Sequence, residues 1–232
     1  MVTLDEYLER ESFIKANDLP LADIKEYWPS LLPVSTLESR IDLIVNQLGL
    51  DKKVLNFAPI FGLSDENIYG RVDLIINQLG LDKKVLNHAQ IFSYSDDRIN
   101  GRVDLIINQL SLDKKVLNFA AIFGYSDANI TGTVGFLRTI ISDEKINNWP
   151  AYIGCSLKRM RECYEHLTIT MGYDKEELNL NKIIWSISKQ NVIDNKSLID
   201  QYTNLPDKFN YQDNPNILLQ KPAQLRKQLK KY

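Results

Sequence analysis

Three consecutive copies of one 31-residue passage occupy Arg40 to Gly132, and they leave few folds open to the chain. The copies begin Arg40-Ile-Asp-Leu, Arg71-Val-Asp-Leu and Arg102-Val-Asp-Leu, and each continues through Asn-Gln-Leu, Leu-Asp-Lys-Lys-Val-Leu-Asn, an Ile-Phe pair and a serine-led turn. A unit this short cannot bury an apolar face by itself. It does so against a neighbouring copy, so the array is expected to stack. The second and third copies differ at seven of 31 positions (80/111, 88/119, 90/121, 93/124, 97/128, 98/129 and 100/131).

Within a copy the apolar spacing is helical. Ile68, Val72, Ile75, Ile76 and Leu79 make one broad stripe, and Leu74, repeated as Leu43 and Leu105, adds a second apolar side. Ser64, Ser95 and Ser126 stand where N-caps belong, and Ser35-Thr-Leu-Glu38 has capping-box spacing for the first copy. Leu63, Tyr94 and Tyr125 precede those caps and can staple onto Ile68, Ile99 and Ile130. Gly80 suits a left-handed C-cap, Asp82 a second N-cap, and Pro59 a corner that ends a short second helix.

Following that corner outward through Pro29, Pro59, Gln90, Ala121, Pro150, a degenerate Asn181 and Pro215 extends the array over most of the chain. The expected fold is an all-α, right-to-left stacked helical-repeat solenoid, a superhelix of about 31-residue units. It is one domain over 1–232, with an N-terminal capping unit at 1–39, three near-identical repeats at 40–132, and degenerate repeats with a basic C-terminal cap at 133–232.

The formal net charge of −2 is unevenly spread. Residues 1–39 carry 3 Lys/Arg against 8 Asp/Glu, 40–132 carry 10 against 11, and 133–232 carry 15 against 11. Two cysteines are too few for a disulfide framework, the first residues lack the pattern of a secretory or organelle signal, and no apolar run suffices to span a bilayer. An intracellular monomer away from membranes is expected. His88 and His166 are the only histidines, and no metal-ligand, P-loop or nucleophile motif occurs, so the expectation is a non-enzymatic protein without metal or cofactor.

The punctuation of Leu79-Gly80-Leu81, Pro29-Ser-Leu-Leu, Pro59-Ile-Phe and Trp149-Pro150, with Ser35, Ser64, Ser95 and Ser156 and with Arg40, Arg71 and Arg102, resembles the mitochondrial transcription termination factor family over roughly residues 18 to 225. The resemblance implies units of two α-helices and one 3₁₀ turn, stacked so that a concave face lies along nucleic acid.

Cations that would serve such a face recur with the repeat. Arg40, Arg71 and Arg102 form one row, and the pairs Lys52-Lys53, Lys83-Lys84 and Lys114-Lys115 form another. Arg159, Arg161, Arg226 and Lys227 add charge to the basic C-terminal part. Each row has a structural alternative. The arginines can pair with aspartates of an adjacent unit, and Asp51, Asp82 and Asp113 partly cancel the lysines. The side chains that vary between copies, at 57/88/119, 59/90/121, 67/98/129 and 69/100/131, suit either a modular base reader or drift after duplication. Two readings follow from these features: nucleic acid, DNA or RNA, as partner, and a protein-binding scaffold of the same shape.

Overall fold

Ser64, Ser95 and Ser126 cap their helices as the sequence predicts, each side-chain oxygen accepting from the amide three residues on, in Asn67, Arg98 and Asn129. The computed structural model in which this is seen describes residues 3–19, 33–185, 187–202 and 205–232, and every element among them is helical. The corner residues Trp28 and Pro29 lie outside the described residues.

The α-helices are α1 (Leu4–Ala16), α2 (Val34–Ile41), α3 (Asp65–Asp73), α4 (Asp96–Asp104), α5 (Asp127–Ile140), α6 (Asp143–Asn148), α7 (Leu157–Glu165), α8 (Leu180–Trp185), α9 (Lys189–Ile199) and α10 (Pro222–Leu229). Two compact units emerge, residues 1–124 and 125–232.

In the first unit each α-helix of the repeat widens into a π-helical turn: Asp42–Gln47 after α2, Leu74–Gln78 after α3 and Leu105–Gln109 after α4. The amide of Leu79 reaches back five residues to the Leu74 carbonyl at 2.9 Å, and that of Leu81 reaches the Ile75 carbonyl at 3.0 Å across left-handed Gly80. This closes the helix end in the manner of a Schellman motif. Gly49 does the same in the preceding copy, but the third copy places Ser111 there, at φ 52°. A side chain in that region is strained. Ser111→Gly is therefore expected to stabilise the protein by about 1 kcal/mol, read as a higher denaturant midpoint.

The second helix and the corner differ from expectation. Lys52–Asn56, Lys83–Asn87 and Lys114–Asn118 are 3₁₀ segments, and so are Ala58–Gly62, Ala89–Ser93 and Ala120–Gly124. A central repeat thus has one α-helix and two 3₁₀ segments, not two α-helices and one 3₁₀ turn. Five residues containing a β-branched valine are too few to nucleate an α-helix, whereas a 3₁₀ turn closes with fewer. The fourth repeat does form an α-helix at this place, α6, capped by Ser142.

Pro59 occupies the second position of its 3₁₀ segment, but Pro150 and Pro215 occupy the first. The corner register therefore slips by one residue, and Trp149 is the counterpart of Phe57 and His88. Asn181 falls inside α8 and marks no corner. The Ser35 capping box is also absent. Pro33 is the N-cap, its carbonyl accepting from Thr36 at 2.9 Å, because its fixed φ and extended ψ already start the helix at Val34.

Apolar side chains close both faces of the repeat. Ile44, Ile75 and Ile106 are buried on the stripe, Val54, Val85 and Val116 with Leu55, Leu86 and Leu117 are buried beneath the 3₁₀ segments, and Leu43, Leu74 and Leu105 are buried off the stripe as expected. In the second unit Cys163, Leu167, Ile183, Val192, Leu218 and Leu225 belong to one core.

Ser188 caps α9, which settles the register of the stretch least legible in sequence. The N-caps Pro33, Ser64, Ser95, Ser126, Ser156 and Ser188 recur at intervals of 30 to 32 residues. Seven residues beyond them stand Arg40, Arg71, Arg102, Thr133, Cys163 and Asn195.

Candidate nucleic-acid interface

The arginine row lies within the stack. Arg40 donates to Asp65 Oδ1 at 2.6 Å and to the Leu63 carbonyl, and Arg71 donates in the same way to Asp96 and the Tyr94 carbonyl. Their side chains are 7% and 10% exposed. Each guanidinium therefore joins the end of one helix to the start of the next, and charge-assisted bonds to buried carbonyls favour keeping it there. Arg102 is buried as well. In the second unit Asn195 stands at the equivalent position and donates to the Leu218 and Gln220 carbonyls at 2.9 and 2.8 Å, a neutral residue making the same 23- and 25-residue reach. The row thus takes the structural alternative at Arg40 and Arg71.

The lysine pairs divide. A Cβ placed on Gly49 would stand 3.2 Å from Lys83 Nζ, and one on Gly80 would stand 3.3 Å from Lys114 Nζ. Each of these ammonium groups therefore lies over the left-handed C-cap of the preceding copy, where the carbonyl end of a helix attracts a cation. Lys53, Lys84 and Lys115 remain exposed. Lys115 lies 3.7 Å from Asp113, while Lys53 and Lys84 make no ion pair among the described residues. The amides of these three second lysines are claimed by the capping aspartates at 2.8 to 2.9 Å, so the turn offers no open phosphate cradle. Lys52, at the start of the first pair, is exposed too.

Of the C-terminal cations, Arg159 is structural. It donates to the carbonyls of Ile183 at 2.9 Å, Ile187 at 2.8 Å and Ile184, closing the end of α8. Arg161 is exposed, its guanidinium 5.8 Å above the Phe136 ring, and Arg226 and Lys227 are exposed on α10. Cys163 is buried beside these elements, and burial pushes its thiol up to about 11, which makes it unreactive.

Two of the variable positions are also tied into the stack. Arg98 lies 4.2 Å over the Tyr94 ring and donates to the carbonyls of Phe123 and Gly124, and Tyr69 donates to Gln47 Oε1 at 2.8 Å. Phe57, His88 and Phe119 sit half-buried at the junction of the 3₁₀ segments, and burial lowers the His88 pKa. Gln90 is exposed.

Two repeated polar devices were not anticipated. In each copy one aspartate accepts from both an asparagine and a glutamine: Asp42 from Asn46 and Gln47, Asp73 from Asn77 and Gln78, Asp104 from Asn108 and Gln109, all at 2.7 to 2.9 Å. The widened turn brings residues four and five positions on to the same carboxylate, and the two amide donors hold its pKa below the usual range. The second device is Asn87, whose Oδ1 accepts from the Asp51 amide at 3.0 Å, repeated as Asn118 on Asp82 at 2.9 Å. The recurrence of Leu-Asn at the end of the first 3₁₀ segment of each copy is its only trace in sequence.

Among the described residues no helix is long and apolar enough to cross a membrane. No protein-family model matches the sequence, and no curated protein matches it closely enough to count as a relative.

Proposed function

We propose that this chain is a non-enzymatic helical-repeat protein that binds the phosphate backbone of nucleic acid through outward lysines of its 3₁₀ segments, with Arg161, Arg226 and Lys227 as further contacts. The observation that carries the reading is that Lys53 and Lys84, at the same place in successive copies, stay exposed and without an ion pair after Arg40, Arg71, Lys83 and Lys114 have been engaged by neighbouring segments. A cation recurring with the scaffold suits a ligand whose charge also recurs. The proposed architecture is a solenoid of about 31-residue units, supported by the spacing of the helix caps, and its right-to-left hand is implied by the family resemblance alone.

Affinity for mixed-sequence DNA and RNA, measured over a range of salt, tests this. Lys53→Gln with Lys84→Gln is expected to weaken binding and to flatten the slope of log affinity against log salt by about 0.7 to 0.9 per lysine, with the unfolding midpoint unchanged. Binding indifferent to salt, or an unaltered slope in the double variant, contradicts the reading. A protein partner is the second reading, favoured by the exposed row Asp42, Asp73 and Asp104. That reading expects no complex with nucleic acid even at low salt.

A further inference from the structure

In the second unit, the segment from Lys208 to Tyr232 folds around an open cavity of about 370 Å³ that the lysine row does not include. Phe209 and Ile217 are buried in its wall, Gln228 lines it from α10 and Lys231 from the turn after that helix, and the exposed Tyr232 lines one side. Lys208 is held in place there. Its ammonium lies 5.1 Å from the Phe209 ring centre and 5.2 Å from that of Tyr232, and it donates to Tyr232 Oη at 2.8 Å. The two rings meet edge to face at 5.5 Å. No aspartate or glutamate is among the residues lining the cavity.

Two lysines lining one space, with amide side chains and aromatic surface and no acidic side chain, select for an anion that also has a flat apolar body. One hydrogen bond to Tyr232 leaves the Lys208 ammonium two further donors. A lone inorganic anion would leave the aromatic wall unused, and a neutral ring would leave the two lysines of the lining without a counter-charge. We propose that this cavity binds a nucleoside monophosphate group, its phosphate between Lys208 and Lys231 and its base against Tyr232. The same group occurs as a free nucleotide and as the phosphorylated end of a nucleic acid strand, so its source is a separate matter from its chemistry.

Calorimetric titration of the whole chain with adenosine monophosphate, adenosine and inorganic phosphate tests the proposal. Saturable binding of the monophosphate is expected, weaker by about tenfold or more for either fragment, and weakened by about tenfold in Lys231→Gln, the loss of one charge-assisted bond. Tyr232→Leu, which removes the ring and also releases Lys208 from the Tyr232 hydroxyl, is expected to weaken the monophosphate by a larger factor than inorganic phosphate. Absence of saturation, equal affinity for inorganic phosphate, or undiminished binding by Lys208→Gln/Lys231→Gln with its fold intact would overturn it. Competition by a short oligonucleotide only when its 5′ end is phosphorylated supports the site and assigns it to strand ends, while failure of both oligonucleotides against bound monophosphate supports it as a free-nucleotide site. Lys53 and Lys84 are untouched in these variants, so the outcome is independent of the backbone-binding test.

Discussion

Leu74→Asp is expected to destabilise the protein by at least about 4 kcal/mol, whereas Pro59→Gly costs about 1 kcal/mol. Leu74 is buried, and it begins the π-helical turn on the side of the helix away from the main stripe. Removing its side chain forfeits roughly 2 kcal/mol of transfer free energy, and the carboxylate that replaces it must either stay ionised without a partner or bind a proton. The loss falls in the middle copy, whose neighbours rely on it for their own burial. Pro59 is only half-buried, and its counterparts are Gln90 and Ala121, so the 3₁₀ segment forms without a proline. Its replacement by glycine mainly adds freedom to the unfolded chain. Urea denaturation followed by circular dichroism separates the two, and similar midpoints would show that Leu74 does not seal a stacking face.

Much of this packing was legible because helical spacing, serine caps and left-handed glycines each act over a few residues. Ser64, Ser95, Ser126 and Gly80 could be placed from their neighbours alone, and the burial of Leu74 followed from its repetition as Leu43 and Leu105. The kind of helix was not legible. Whether Lys83–Asn87 winds as α or 3₁₀, and whether Leu74–Gln78 opens into a π turn, depends on small differences between hydrogen-bond patterns that the same side chains permit. Pro150 misled for a related reason, since proline is acceptable at either of the first two positions of such a segment.

The candidate interface was harder to read because its residues serve two purposes that look alike in sequence. Arg71 and Lys84 both recur every 31 residues and both carry one positive charge. What separates them is direction. Arg71 stands seven residues beyond an N-cap, on the flank of the buried stripe, where the start of the next helix presents a carbonyl and an aspartate. Lys84 stands two beyond the Asp82 cap, on a turn whose apolar side is taken by Val85 and Leu86, which leaves its side chain to water. Asn195 at the arginine position bridges the same sequence separations with a neutral amide. Where the arginines meet one carbonyl and one aspartate it meets two backbone carbonyls, so the charge of the donor follows the charge of the acceptor it reaches.

Geometry of the same kind couples the residue before each cap to the following corner, and it leads to the second large effect. A Cβ on Gly154 would lie 2.3 Å from Tyr125 Oη, 2.9 Å from Cζ and 3.2 Å from Cε2, and one on Gly124 would lie 3.0 Å from Tyr94 Oη. Where the earlier residue is Leu63, the site 30 residues on is Ser93. The chain therefore joins tyrosine with glycine and the shorter leucine with a residue that has a side chain. Gly154→Ala is expected to cost about 2 kcal/mol, because the methyl group meets the half-buried ring and not only its mobile hydroxyl, and the overlap forces the tyrosine or the backbone to move. Tyr125→Leu alone loses aromatic burial and is expected to cost about 1 to 2 kcal/mol. Combined, the two should be no worse than Tyr125→Leu alone, a coupling of about 2 kcal/mol in a double-mutant cycle. Additive losses in that cycle, measured by chemical denaturation, would mean that the ring does not occupy the space over Gly154. Non-additivity would instead make the pairing a rule for which copies can be neighbours, since a copy carrying tyrosine before its cap could be followed only by one with glycine at the corner.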